Sequence, residues 1–174
     1  MKQNRLPTYD DSDNPTGCCP RFNPDGWDDQ DLHFKDRLFL RAKTRSLFHI
    51  PINMGAVFKR VMQAIEKADA QESKQIIVLS RDLSPWSAEH LFSVDRPVPC
   101  EEMVRLSGDY RTKVFEGPYR DAPKWQAALQ AELEAQGNRV AKTYFFYTTF
   151  PKCAKVYGNN YLVAVADLQP APGS

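Results

Sequence analysis

The chain has 174 residues, 23 basic against 22 acidic side chains and a formal charge of +1, so no overall field draws it to nucleic acid or to an anionic membrane. No apolar run reaches the about 18 residues of a membrane span, and Met1-Lys2-Gln3-Asn4-Arg5 leads into polar, Pro-containing sequence rather than a secretory apolar region. A cytoplasmic protein is expected, with no nucleic-acid and no membrane partner, while Cys18, Cys19, Cys100 and Cys153 lack any framework or ligand spacing and predict reduced thiols, no metal and no cofactor.

Residues 1–35 read as an N-terminal arm, partly irregular. They are rich in Asp, Asn and Pro to about residue 16, and Phe22 and Trp27 are expected to pin the rest to the domain. Between 36 and 50, Leu38, Phe39, Leu40, Leu47 and Phe48 surround a basic middle, Arg41 to Arg45, as in one long or bent strand. Val57, Phe58, Val61, Met62 and Ile65 recur at three- and four-residue intervals, which predicts a helix over 55–70. Short apolar strands follow at 75–80 and 89–94, separated by a turn near Asp82 to Pro85.

The second half repeats this order. A strand over 103–116 ends in Gly117-Pro118, Asp121 is placed to cap a helix over 121–136 with Pro123 in its first turn, and Gly137 closes it. Strands over 143–148 and 161–168 complete the unit, and 169–174 form a tail. At a spacing of 67 residues Phe48 falls on Phe115, Pro51 on Pro118 and Phe58 on Trp125; at 71, Leu91 falls on Leu162 and Trp86 on Tyr157. The pattern predicts an α+β domain over 36–168: two β-α-β-β repeats, 36–100 and 101–168, forming one antiparallel-rich sheet with two helices on one face and a cleft between them.

Glu116 ends an apolar strand and shares parity with Leu106 and Val114, so it is expected on the apolar face as a desolvated carboxylate, suited to a cation or to proton transfer. His49 is its counterpart in the first repeat, and the two are the candidate catalytic pair if the protein is an enzyme. The plainer reading makes Glu116 a turn residue or the partner of a surface Arg. Trp86, Tyr119, Phe145, Tyr147 and Tyr161 are candidate walls of a pocket, although most aromatic rings in such a cluster serve packing.

The run Phe115-Glu116-Gly117-Pro118-Tyr119, the helix carrying Trp125 and the strand Tyr144 to Tyr147 before Pro151 resemble the GyrI-like small-molecule-binding family, whose fold is shared with SOUL proteins and the effector-binding domains of MerR-type multidrug regulators. The resemblance spans roughly 36–168 and points to a bacterial branch of that family. It implies a stand-alone binding protein for hydrophobic, aromatic or cationic small molecules. Two alternatives come with it: a hydrolase of electrophilic compounds, similar to cyclopropyl hydrolases, and a gyrase-inhibitor-like protein interaction. Where many members carry Glu-x-Tyr, this chain reads Phe145-Phe146-Tyr147, which leaves Glu116 or Glu89 to supply a charge. Oligomeric state has no signature in the sequence.

Overall fold

Alternating apolar side chains build the strands, and a computed structural model describes residues 6, 22, 24–71, 76–148 and 161–169. The fold is α+β, with seven strands and two α-helices among the described residues. Chain contacts group it into two units, Lys35–Ser107 and Met1–Phe34 with Gly108–Ser174. No helix among the described residues is long and apolar enough to cross a membrane.

In the Lys35–Ser107 unit, β1 (Asp31–Leu47) turns into the two-residue β2 (Ile50–Pro51), then α1 (Met54–Lys67), β3 (Val78–Ser84) and β4 (Ser87–Ser93). β4 lies antiparallel between β1 and β3, pairing Leu40 with Phe92 and Phe92 with Val78. Their helix-facing side chains, Leu40, Ala42 and Phe92, close over Val61 and Ile65 of α1. Full burial of Val61 and Ile65 contributes about 1.5–3 kcal/mol each and is the main reason a 14-residue segment holds its helix here.

In the other unit, β5 (Glu102–Glu116), which enters it at Gly108, leads through a 3₁₀ turn (Tyr119–Asp121) into α2 (Ala122–Ala135), β6 (Arg139–Tyr147) and β7 (Tyr161–Gln169). Here β7 is the middle strand, pairing Phe115 with Leu162 and Leu162 with Tyr147. Leu129 and Leu133 of α2 pack on Phe145, Leu162, Ala164 and Ala166. The opposite face of this sheet is also covered: Trp27 and Phe22 are buried and both rings meet Phe146. The Thr112 hydroxyl donates to the Trp27 carbonyl, so a residue of the arm is tied to β5 as the two aromatic anchors suggested.

Each unit therefore runs β-α-β-β with the last strand in the middle, and the two helices match in more than length. Both end in the same left-handed cap: Ala70 N–H reaches the Ile65 carbonyl around Asp69 (φ 51°), and Asn138 N–H reaches the Leu133 carbonyl around Gly137 (φ 88°). Asp121 occupies the N-cap of α2 but makes no side-chain capping bond, contrary to expectation.

The residue correspondence within the repeat needs correction. Val61 and Ile65 match Leu129 and Leu133, a spacing of 68 rather than 67 through the helices. In β4 the helix-facing residues are His90 and Phe92, both of which meet Phe58 of α1. In β7 they are Leu162 and Ala164, so the shift of 71 that equates Leu91 with Leu162 exchanges the two faces of the strand. Phe48 and Phe115 also part company, because β1 stops at Leu47 while β5 continues to Glu116.

Candidate functional site

The expected single strand over 36–50 is broken by a tight hairpin. Leu47 pairs with Ile50, leaving Phe48 and His49 as a two-residue loop with φ of 48° and 68°. Positive φ at both central residues marks the type I′ turn, which favours Asn-Gly; an aromatic and an imidazole there cost about 1–2 kcal/mol each. Two backbone bonds hold the turn against the β3–β4 corner: Ser46 N–H to the Trp86 carbonyl at 2.7 Å and His49 N–H to the Pro85 carbonyl at 2.9 Å.

The consequence is an aromatic pair presented to solvent. Phe48 is 70% exposed and Trp86 53%, with ring centroids 5.1 Å apart. Leu47, Ile50, Ile52 and Leu83 are exposed beside them in sequence, and seven of the eight exposed large hydrophobic side chains among the described residues belong to this unit. Globular surfaces tolerate single exposed apolar side chains but seldom group them, so this group is the candidate contact surface of the unit. His49 does not stand as an isolated base: its Nδ1 lies 2.9 Å from the Asp82 carboxylate, and both side chains are exposed. Beneath the turn, the hydroxyl of buried Ser46 finds no hydrogen-bond partner.

Behind this tip, on the face covered by α1, sits a residue that strand patterning alone does not single out. His90 is 1% exposed, with Nδ1 2.7 Å from the Ser80 hydroxyl and Nε2 2.9 Å from the Thr44 hydroxyl, under the edge of the Phe58 ring. Burial pushes its pKa down to about 4, against the smaller opposing pull of Asp82 and Glu89. It is therefore neutral at physiological pH, donating to one hydroxyl and accepting from the other. A lone His inside an apolar-looking strand, Ala88-Glu89-His90-Leu91-Phe92, is its one signal in the sequence.

Glu89 faces the other side of β4 and is 4% exposed. Its carboxylate accepts from Arg41 at 2.6 Å and from Arg81 at 3.0 Å, and Arg41 also reaches Glu102 at 3.2 Å. Burial alone raises such a carboxyl, but the two guanidiniums outweigh it and hold the pKa below the usual range. Glu89 thus bridges two cations of its own chain, which explains a buried acid without invoking a ligand.

In the second unit Phe115 stacks on Trp125 with planes 4° apart and centroids 5.3 Å apart. The fit depends on Gly117 (φ 144°), where a Cβ would lie 2.9 Å from the Trp125 ring. Tyr119 meets Tyr147 edge to face at 4.9 Å, and Phe145 lies near Tyr147 at 6.5 Å. Tyr161 joins them only through its backbone, its carbonyl accepting from Tyr119 and Thr148, while its ring meets Phe22 on the other face. Of this group Tyr147 is the well-exposed ring.

Glu116 departs from its expected place. Phe115 is the residue of this pair that faces α2, and Glu116, one residue on, is exposed at the strand end. It is not the desolvated carboxylate that its strand parity predicts. The half-buried carboxylate with a raised pKa in this unit is Asp167, lifted by desolvation and directly opposite Tyr110 in the ladder.

The structure brings together Tyr119, Phe145 and Tyr147 in one unit and Phe48, Trp86, His49 and Asp82 in the other; Glu89 is committed to its arginines. Cys18, Cys19, Cys153 and Tyr157 lie outside the described residues. Cys100 is an exposed free thiol, and among the described residues no group of three His, Cys, Asp or Glu side chains is placed to hold a metal.

Comparison with known proteins adds one family. A family model described as "Bacterial hydrolase" matches residues 9–168. No curated protein matches the sequence. A solved structure entitled "The structure of SAV2435 bound to TETRAPHENYLPHOSPHONIUM" is 12% identical, with 82% of this chain and 94% of that chain covered and a TM-score of 0.47, a likeness too slight to bear on function.

Proposed function

The chain belongs to the bacterial hydrolase family, and from that premise we propose that the function its geometry supports best is capture of small apolar or aromatic molecules, with Phe48 and Trp86 as the platform. One observation carries the reading: two large rings, mutually packed yet more than half exposed, are displayed by a turn whose residues oppose its backbone conformation. Strain of this kind persists where function retains it. Covering about 100–150 Å² of ring surface contributes about 2–4 kcal/mol, an affinity between about 30 mM and about 1 mM before any polar contact is added. A cationic ligand would draw instead on Glu116, the exposed carboxylate of the other unit, since Glu89 is neutralised.

Titration with the neutral dye Nile red tests the platform. The unaltered protein is expected to bind with a blue shift of the dye emission, and Trp86→Ala together with Phe48→Ser is expected to weaken binding at least about tenfold, the loss of one ring contact or more. Dye affinity unchanged in that variant would remove the platform. A protein partner, as in gyrase-inhibitor-like proteins, would use the same surface and would compete with the dye.

The hydrolytic reading is favoured by the family description alone. Its chemistry would fall to exposed His49 with Asp82, activating water against an electrophile held on the rings of that unit, or separately to Glu116 within the other unit. His90 is poorly suited despite its two hydroxyl neighbours, because the burial that lowers its pKa opposes taking a proton. Turnover of a strained electrophile that is abolished in Glu116→Gln or His49→Gln, with binding retained, would establish it.

A further inference from the structure

The tip holds a polar demand that its own chain does not meet. Ser46 is buried, and its hydroxyl has no partner while its backbone N–H is spent on the Trp86 carbonyl. Alternation along β1 puts Ser46 on the face that carries Thr44, two residues before it, and Thr44 is bonded to neutral His90. One hydroxyl therefore stands unsatisfied at the foot of an exposed aromatic pair. Buried polar groups are nearly always bonded in folded proteins, and each exception asks for a cause.

The charges around the tip narrow what would satisfy it. Asp82, the carboxylate beside the turn, is bonded to His49. Glu89 and Glu102 are bonded to Arg41, and Glu89 also to Arg81, with Glu89 on the face of β4 away from His90. On the Ser46 face Thr44, Ser80 and His90 are uncharged, while Asp82, two residues beyond Ser80, brings a carboxylate close enough to act on His90. An anion placed there would meet the Asp82 carboxylate, and a cation would have to displace His49 from Asp82 to gain a partner for its lost hydration.

We infer that the tip of the Lys35–Ser107 unit is a site for neutral aromatic molecules bearing one hydrogen-bonding group, a hydroxyl or a carbonyl, which Ser46 receives while the ring lies against Trp86. The inference rests on the proposed platform and adds its polar anchor and its charge preference. Ser46 serves either kind of group, because a hydroxyl both donates and accepts. The ligand ring lies on the surface that Phe48 and Trp86 form together, their centroids 5.1 Å apart.

Three naphthalenes of one shape test it by equilibrium dialysis: 2-naphthol, 2-methylnaphthalene and the 2-naphthyltrimethylammonium cation. The unaltered protein is expected to prefer 2-naphthol over the other two. Ser46→Ala is expected to weaken 2-naphthol about five- to tenfold, the worth of one hydrogen bond, and to leave 2-methylnaphthalene within about twofold. The variant removes an unsatisfied buried hydroxyl, so its melting temperature should hold or rise, and a melt confirms that any loss of binding is local. Trp86→Ala should weaken both neutral probes. Equal effects of Ser46→Ala on both neutral probes, no effect on either, or tightest binding of the cation overturns the anchor. If the neutral probes bind and Trp86→Ala changes neither, the platform itself is wrong.

Discussion

His90 supplies the sharpest test of how this core is built. In the folded chain its pKa is lowered from 6.5 to about 4 by burial, so the unfolded chain binds a proton first as pH falls. Stability then rises with pH wherever the unfolded state holds more protons, which places the loss between about pH 6.5 and pH 4 and leaves pH 7 and above unaffected. The gap corresponds to about 3 kcal/mol, a large share of the roughly 5–15 kcal/mol that holds a domain together. Other groups titrate nearby and do not all share the sign. Glu89, with its pKa lowered, costs stability only as pH falls below its ordinary value of 4.5. Asp167, with its pKa raised, protonates first in the folded state and gains a little stability as pH falls. A difference between two proteins removes both. His90→Asn keeps one donor and one acceptor for Ser80 and Thr44 but does not titrate. Urea unfolding at several pH values should show the unaltered protein losing about 3 kcal/mol more than the variant between pH 7 and pH 4. Parallel curves, or an imidazole that titrates by NMR near 6.5 in the folded protein, would refute the account.

Other outcomes rest on single contacts. Glu89→Gln leaves Arg41 and Arg81 facing each other across a neutral amide and should cost about 2–4 kcal/mol, read by urea unfolding and little relieved by salt because the site is buried. Gly117→Ala meets both a left-handed backbone and the Trp125 ring, so a loss of about 1–3 kcal/mol is expected together with altered Trp125 emission. Phe48→Asn with His49→Gly fits the type I′ turn and should raise stability by about 1 kcal/mol or more in a thermal melt. The same double change should abolish dye binding if the strained turn is kept for its rings.

Much of the architecture is written locally. The three- and four-residue spacing from Val57 to Ile65 and the Gly117-Pro118 break name both helices to within a few residues, because a helix must bury one stripe and its ends need particular backbone conformations. The apolar runs place six of the seven strands, and Phe22 and Trp27 announce by size alone that they will be buried. What a strand residue meets is a different matter, since it depends on which face turns inward, and a shift of one position reverses that for a whole strand. Only the fold could show that Phe115 rather than Glu116 turns toward α2, and that Leu91 and Leu162 lie on opposite faces. Only pairing across the chain decided the fate of the charged residues: Glu89 is matched by Arg41 and Arg81 from two neighbouring strands, and His90 by hydroxyls 46 and 10 residues away. The turn at Phe48 and His49 defeats local reading for the opposite reason, because its sequence argues for continued strand while bonds to residues distant in the chain, Pro85, Trp86 and Asp82, help hold it in a conformation those residues disfavour.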